Sequence, residues 1–235
     1  MKLSIIIPAH NEADRIEKTL THYVDFFQEQ NIDHEFVVVL NGCTDNTLSV
    51  VQNVQKKYPN IKHINLKEAG KGLAVATGFA DALKRDNDLI GFVDADMATR
   101  PQHFCELVQH VNKKNGGAIA SRYMRESQIS PKRPWIKEWG RIVGYNPLVR
   151  LLFGLPYKDF QCGAKLFRRD VIEAIVPQLT MKQWAFDVQL LHLCKQHGFA
   201  IAEVPTVWQD QTGSKFSIKA GIKMFGALAK LRFRR

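Results

Sequence analysis

Leu89-Ile90-Gly91-Phe92-Val93-Asp94-Ala95-Asp96-Met97 sets the reading of the chain. A short apolar run with β-forming residues ends abruptly in two carboxylates, Asp94 and Asp96, separated by one residue. Runs of the same kind occur at 3–8, 35–40, 61–66 and 117–121, and the segment above supplies a strand at 89–94. Helical periodicity fills the intervals: Ile16, Leu20, Val24 and Phe27 mark one face, Leu48, Val51 and Val54 another, and Phe104, Leu107, Val108 and Val111 a third. Strands alternating with helices predict an α/β fold with a mainly parallel sheet covered on both faces. Such sheets take ligands at the carboxyl ends of their strands. That rule gathers Pro8–Glu12, Asn41–Thr47, Ala69–Gly72 and Asp94–Met97 at one edge, although they are far apart in sequence.

Alternate side chains of an extended stretch share a face, so Asp94 and Asp96 can reach one hard divalent cation or its water shell. Without a cation their charges repel. An aspartate after a strand can also serve a helix cap, and Thr99 and Pro101 open a helix here, so the pair alone leaves both readings open. Lys71 stands between Gly70 and Gly72 at a helix start, where backbone amides, the helix dipole and an ammonium suit a phosphate. A glycine-rich turn carrying a solvated lysine is the alternative. Val75 and the missing Ser or Thr exclude both the dinucleotide fingerprint and the Walker loop. Asn11 and Glu12 after the first strand, and Thr44 and Asp45 after the second, have the chemistry of helix caps.

The 235 residues suit one domain with an appendage. Cys43, Cys105, Cys162 and Cys194 form no CxxC pair, which argues against a zinc site or disulfide framework and fits a reducing cytosol. Met1-Lys2 leads straight into a strand, with no secretory signal, and no apolar run approaches the ~20 residues that span a bilayer. A cytoplasmic protein is expected, at most peripheral at the inner face of a membrane. The net charge of +10 calls for an anionic partner. From Gln211 onward there is no acidic residue, while Lys215, Lys219, Lys223, Lys230 and Arg232 alternate with Phe216, Ile222, Phe225, Leu228 and Leu231. This basic amphipathic helix over 211–235 either lies on a membrane or packs its apolar side on the core. Between Arg122 and about Lys158 the pattern breaks into a basic stretch with Trp135 and Trp139, which reads as a functional insertion. Order resumes with Phe160–Arg169, a helix through Phe186–Cys194 and a strand at Ala200–Val204.

Several short motifs in one order carry a stronger signal than any of them singly. IIIPAHNE (5–12), NGCTDNT (41–47), GKGLAV (70–75), FVDADMATRP (92–101), SRY (121–123), DFQCGAKLF (159–167), WAFDVQLL (184–191), EVPTVW (203–208) and GSK (213–215) together resemble family 2 glycosyltransferases of the GT-A fold. The resemblance is strongest to polyprenyl-phosphate sugar transferases of the dolichyl-phosphate β-glucosyltransferase type. It implies a GT-A, Rossmann-like sheet in a single domain over 1–210, with a nucleotide-sugar half (1–121) and an acceptor half (122–210).

The resemblance also implies roles. Pro8, Ala9, His10 and Glu12 would line the nucleotide, with Asn41 and Lys71 nearby. Asp94 and Asp96, with Gln161 as a further ligand, would hold Mg²⁺ or Mn²⁺ on the donor diphosphate. Asp159 would be the base, and Arg122 and Arg141 would grip an acceptor phosphate. The donor implied is a UDP-sugar ahead of a GDP-sugar; the acceptor is a lipid phosphate or a glycan. A nucleotide-sugar-forming nucleotidyltransferase and a basic nucleic-acid-binding module are the rivals from other classes; the second explains neither aspartate, and no nucleic-acid partner is expected. The chain departs from similar enzymes at Leu40-Asn41, where an Asp-Asp pair is usual, and at Gln189, where many have Glu.

Overall fold

The computed structural model describes residues 1–131, 144–183, 185–209 and 226–232. Strands β1 (Lys2–Ala9), β2 (Asp33–Asn41), β3 (Ile61–Leu66), β4 (Leu89–Val93) and β5 (Gly117–Ser121) alternate with helices α1 (Ile16–Glu29), α2 (Thr47–Lys57), α3 (Lys71–Ala82) and α4 (Pro101–His110). After them come a short strand, β6 (Gln128–Ser130), then α5 (Asn146–Phe153), β7 (Ala164–Arg168), α6 (Arg169–Ile175), α7 (Phe186–Gln196), β8 (Ile201–Pro205) and β9 (Val207–Gln209). The main sheet has seven strands in the order β3-β2-β1-β4-β7-β5-β8. Every pairing is parallel except those of β7 with β4 and β5, so β7 alone runs the other way. The expected helices and strands of the first half are present. The Phe160–Arg169 run divides into a loop and the antiparallel β7, and β6 pairs with β9 in a small second sheet.

Period-2 alternation sends β1 residues to opposite faces. Leu3, Ile5 and Ile7 pack under α1, α2 and α4 with Leu20, Phe27, Val51 and Phe104, whereas Ile6 joins Phe79 of α3 and Leu190 of α7 on the other side. Leu20, Phe27, Phe79 and Phe104 are fully buried, each worth about 1.5–3 kcal/mol of apolar transfer. The chain order reverses between β1 and β4, which opens a crevice beyond their carboxyl ends.

Of the predicted C-terminal helix, residues 226–232 are helical. Leu228 is fully buried in the α3/α7 core cluster, with Ala227 and Leu231 packed against it. For this stretch the core-packing alternative holds. The rest of 211–225 and 233–235, and the insertion at 132–143 with Trp135, Trp139 and Arg141, lie outside the described residues. Among the described residues no helix is long and apolar enough to cross a membrane.

Candidate active site

Asp94 and Asp96 leave β4 at the crevice. The Asp94 amide donates to Gly163 O at 2.9 Å, and its carboxylate Oδ1 lies 2.6 Å from Lys71 Nζ. Asp96 Oδ1 accepts the Ala98 amide at 3.0 Å, closing a turn in which Met97 takes a left-handed φ of 61°. Helix α4 starts only at Pro101, so Asp96 shapes the loop and does not cap the helix. Two bonds from α1 pin this loop: Thr19 Oγ1 donates to Ala95 O at 2.7 Å and Tyr23 Oη to Thr99 O at 2.8 Å. Burial, and then the negative charge of Asp94, push the Asp96 carboxyl up to about 6, against the Ala98 amide and the charges of Arg15 and Lys71. A divalent cation supplies the charge this pair lacks, so the donor set fits one. Among the described residues no three His, Cys, Asp or Glu side chains form a metal cluster, so further coordination positions would fall to other oxygens and water.

Lys71 is held between a carboxylate and an aromatic ring. Its ammonium meets Asp94, lies 5.5 Å from the Phe92 ring centroid, and is largely shielded from solvent. Burial would lower its pKa, but Asp94 and Asp187 more than offset that, so it stays protonated. The flanking glycines answer to packing. A Cβ on Gly70 would stand 2.6 Å from Lys182 O, and one on Gly72 2.2 Å from Met181 O. Leu73 N–H donates to Lys182 O at 3.2 Å, which takes up one of the free amides at the α3 N-terminus. With that amide occupied, the Lys71 ammonium, more than an amide cradle, would be the group to meet an anion here.

Gln189 holds the covering loop in place. Its Oε1 accepts the Thr180 and Met181 amides at 3.0 and 2.8 Å, and its Nε2 donates to Gln178 O and Thr180 Oγ1 at 3.1 and 3.0 Å. Both ends of the amide are used; a carboxylate here could keep the two accepted bonds but not the two donated ones.

On the β1–β2 side the expected nucleotide contacts divide into surface and support. Asn41 is 4% exposed, donates from Nδ2 to Ala9 O at 2.8 Å and accepts the Gly70 amide at 3.0 Å. Ala9 is fully buried. The Asn41 side chain therefore ties β1, β2 and the Lys71 turn together through the Ala9 carbonyl and the Gly70 amide, so its part beside the expected nucleotide contacts is that of a support. Pro8, His10 and Glu12 are partly exposed. The His10 ring lies 2.7 Å from Asn41 O through Nδ1; a carbonyl only accepts, so Nδ1 carries the proton. Glu12 pairs with Arg15, and its amide donates to Thr47 Oγ1 at 2.8 Å. Asn11, in a left-handed conformation, bonds Thr44 across the loops, while Asp45 accepts the Thr47 amide at the start of α2.

Asp159 and Arg122 occupy the far side of β7 from β4. Arg122 Nε and Nη2 donate to the two Asp159 carboxylate oxygens at 2.7 and 2.9 Å, and the Arg122 amide adds a third bond at 3.1 Å. Burial acts to raise the Asp159 pKa, but Arg122 outweighs it and holds the group at about 2. So acidic a carboxyl is a poor proton acceptor. The two residues, expected to do separate jobs, form one buried pair stacked on Tyr123 and Trp208, whose rings lie 5.4 and 5.2 Å from the Arg122 guanidinium. Gln161 follows, its amide donating to Asp159 Oδ1 at 3.2 Å.

Two features were missed in the sequence. A Cβ on Gly163 would stand 1.8 Å from Asp94 Oδ2, so the β7 entry needs glycine for the carboxylate to sit there. Lys165 and Asp187 form a fully buried ion pair at 2.6 Å; the Lys165 ammonium also bonds Cys162 O at 2.7 Å and lies 5.2 Å from the same Phe92 ring that Lys71 meets. A lysine within the apolar strand Ala164–Arg168 was the available signal.

The glycosyl transferase family 2 model matches residues 4–176. A dolichyl-phosphate beta-glucosyltransferase of Dictyostelium discoideum is 33% identical over 99% of this chain and 74% of its own length. One from Saccharomyces cerevisiae is 33% identical over 98% and 74%. Among solved structures, glucosyl-3-phosphoglycerate synthase from Mycobacterium tuberculosis with Mn²⁺, UDP and glucosyl-3-phosphoglycerate superposes with a TM-score of 0.72 at 17% identity, over 98% of this chain and 79% of that one. A mannosyltransferase from Pyrobaculum calidifontis with GDP-Man and Mn²⁺ gives 0.61 at 19% identity, over 91% and 57%. At these identities the solved structures speak for the fold, while the sequence matches run along nearly the whole chain. The chain belongs to glycosyl transferase family 2, and it is a glycosyltransferase on a mainly parallel α/β sheet of the GT-A kind.

Proposed function

We propose that this glycosyltransferase moves a sugar, glucose from UDP-glucose in the favoured case, onto a polyprenyl or dolichyl phosphate with inversion at the anomeric carbon. The observation that carries the reading is the grouping of Asp94, Asp96 and the protonated Lys71 at the β1/β4 crevice. Mg²⁺ or Mn²⁺ held by Asp94 and Asp96, with Gln161 as a further candidate ligand, would neutralise the departing diphosphate. Lys71 would add an ammonium to the same charge, and Pro8, His10 and Glu12 would face the nucleoside. The names of the relatives support the lipid phosphate as acceptor. So does Asp159: a phosphate monoester, with its second pKa near 6, is already anionic at neutral pH and needs no base. A sugar hydroxyl would need one, and a carboxyl at about 2 serves poorly. Asp159 and Arg122 then orient the acceptor, with Arg141 as a further cation for its phosphate. The domain reading is one catalytic domain over 1–210 with 211–235 as a basic appendage, whose contact with a membrane face belongs to the same proposal.

The test is nucleoside diphosphate release with Mn²⁺ over a panel of UDP- and GDP-sugars, with and without polyprenyl phosphate in detergent. Release that requires the lipid phosphate, prefers UDP-glucose and disappears in Asp96→Ala is the expected result. Metal-dependent donor binding with no response to polyprenyl phosphate would reject this acceptor.

A further inference from the structure

Asp159 stands on a stretch, 154–163, without regular secondary structure, so its position must be fixed by something other than a ladder of backbone bonds. Side chains from two elements do this. From α5, Asn146 Nδ2 donates to Lys158 O at 2.7 Å, and one turn later the Arg150 guanidinium donates to Tyr157 O at 3.2 and 3.0 Å. From β8, a single oxygen, Glu203 Oε1, accepts the amides of both Lys158 and Asp159 at 2.8 Å each. Carbonyls are gripped on one side and amides on the other.

The strands make the placement exact in register. β8 pairs with β5, Glu203 opposite Ile119, and β5 ends at Ser121, immediately before Arg122. The two neighbouring strands thus deliver the carboxylate that holds the Asp159 backbone and the guanidinium that holds the Asp159 side chain. A charged acceptor taking two backbone amides makes stronger bonds than a neutral one.

We infer that Glu203 is a positioning residue for the acceptor side: it fixes the Lys158–Asp159 turn and, through Asp159, the orientation of Arg122. It touches no reacting atom. The functional half of this inference rests on the acceptor role proposed above for the Arg122–Asp159 pair; the geometric half does not.

The experiment compares Glu203→Ala with Glu203→Gln in the full chain. The amide oxygen of Gln can still accept both bonds, whereas Ala leaves the two amides without a partner. Hydrogen exchange at Lys158 and Asp159 is expected to speed up at least about tenfold in the Ala variant and to stay near wild type in the Gln variant. In turnover with polyprenyl phosphate, the Ala variant is expected to raise the acceptor KM about tenfold, with rescue by Gln, while Mn²⁺-dependent UDP affinity stays within about twofold. Unchanged exchange in the Ala variant overturns the clamp. Faster exchange with unchanged acceptor KM, or equal loss of UDP affinity, overturns the positioning role. If wild type ignores polyprenyl phosphate, the acceptor reading and with it the functional half fall, and the exchange result still decides the geometry.

Discussion

Lys71 Nζ lies 2.6 Å from Asp94 Oδ1, so in the proposed function the ammonium meant for the donor diphosphate rests on the carboxylate meant for the cation. A cation and the ammonium would then compete for that oxygen until an anion arrived to take the lysine. Lys71→Met, which keeps length and loses charge, should therefore tighten Mn²⁺ binding to the free protein severalfold. It should weaken UDP binding by about tenfold or more, the scale of a charge-assisted hydrogen bond. Electron paramagnetic resonance of Mn²⁺ and calorimetry with UDP measure the two effects separately. Equal weakening of both would show that Lys71 supports the fold of the site and does not compete there.

Gly163 tests the same carboxylate from the other side. A methyl group there would collide with Asp94, and the flexible end of the aspartate is what must move. Gly163→Ala should leave a folded protein, at a cost of about 1–3 kcal/mol for overpacking, yet weaken Mn²⁺-dependent UDP binding by about 10–100-fold. Normal metal and nucleotide binding in a folded variant would mean that Asp94 can work from another rotamer.

The Lys165–Asp187 pair is fully buried, so breaking it costs more than it contributes as a pair. Asp187→Ala leaves a buried ammonium without its counter-charge and should cost about 3–5 kcal/mol in urea unfolding. Lys165→Met with Asp187→Leu removes both charges and should recover much of that loss. A double variant as unstable as the single one would place the cost in packing instead of charge.

How far the sequence could be read follows from the range of the interactions. Asp94, Asp96 and Lys71 were legible because strand-end and helix-start chemistry is local, and the α/β order places their loops together. The α1 face was legible for the same reason, with Ile16, Leu20, Val24 and Phe27 all fully buried. The second half was harder. Nothing local says that Ala164–Arg168 inserts antiparallel between β4 and β5, so the contact of Gly163 with Asp94 was invisible. The resemblance put Asn41 near the nucleotide. Its commitment to Ala9 and Gly70 depends on partners 32 and 29 residues away. Arg122 and Asp159, 37 residues apart, were each singled out, but only the folded chain joins them.

That joined pair makes a prediction about acid stability. The folded Asp159 pKa of about 2 lies below an unfolded value near 3.9, so folding favours its ionised form. The sign follows: the stabilisation is fully present above about pH 4 and is lost as pH falls toward 2. Its size is on the order of 2 kcal/mol from the linkage relation. Asp159→Asn deprives buried Arg122 of its charge partner at every pH, whereas wild type loses that partner only on protonation. In urea unfolding the gap in stability between the two should be widest above about pH 5 and narrow steadily toward pH 2.5. A gap that stays constant across that range would mean that Asp159 titrates normally in the folded protein, and the buried pair would then contribute shape without charge.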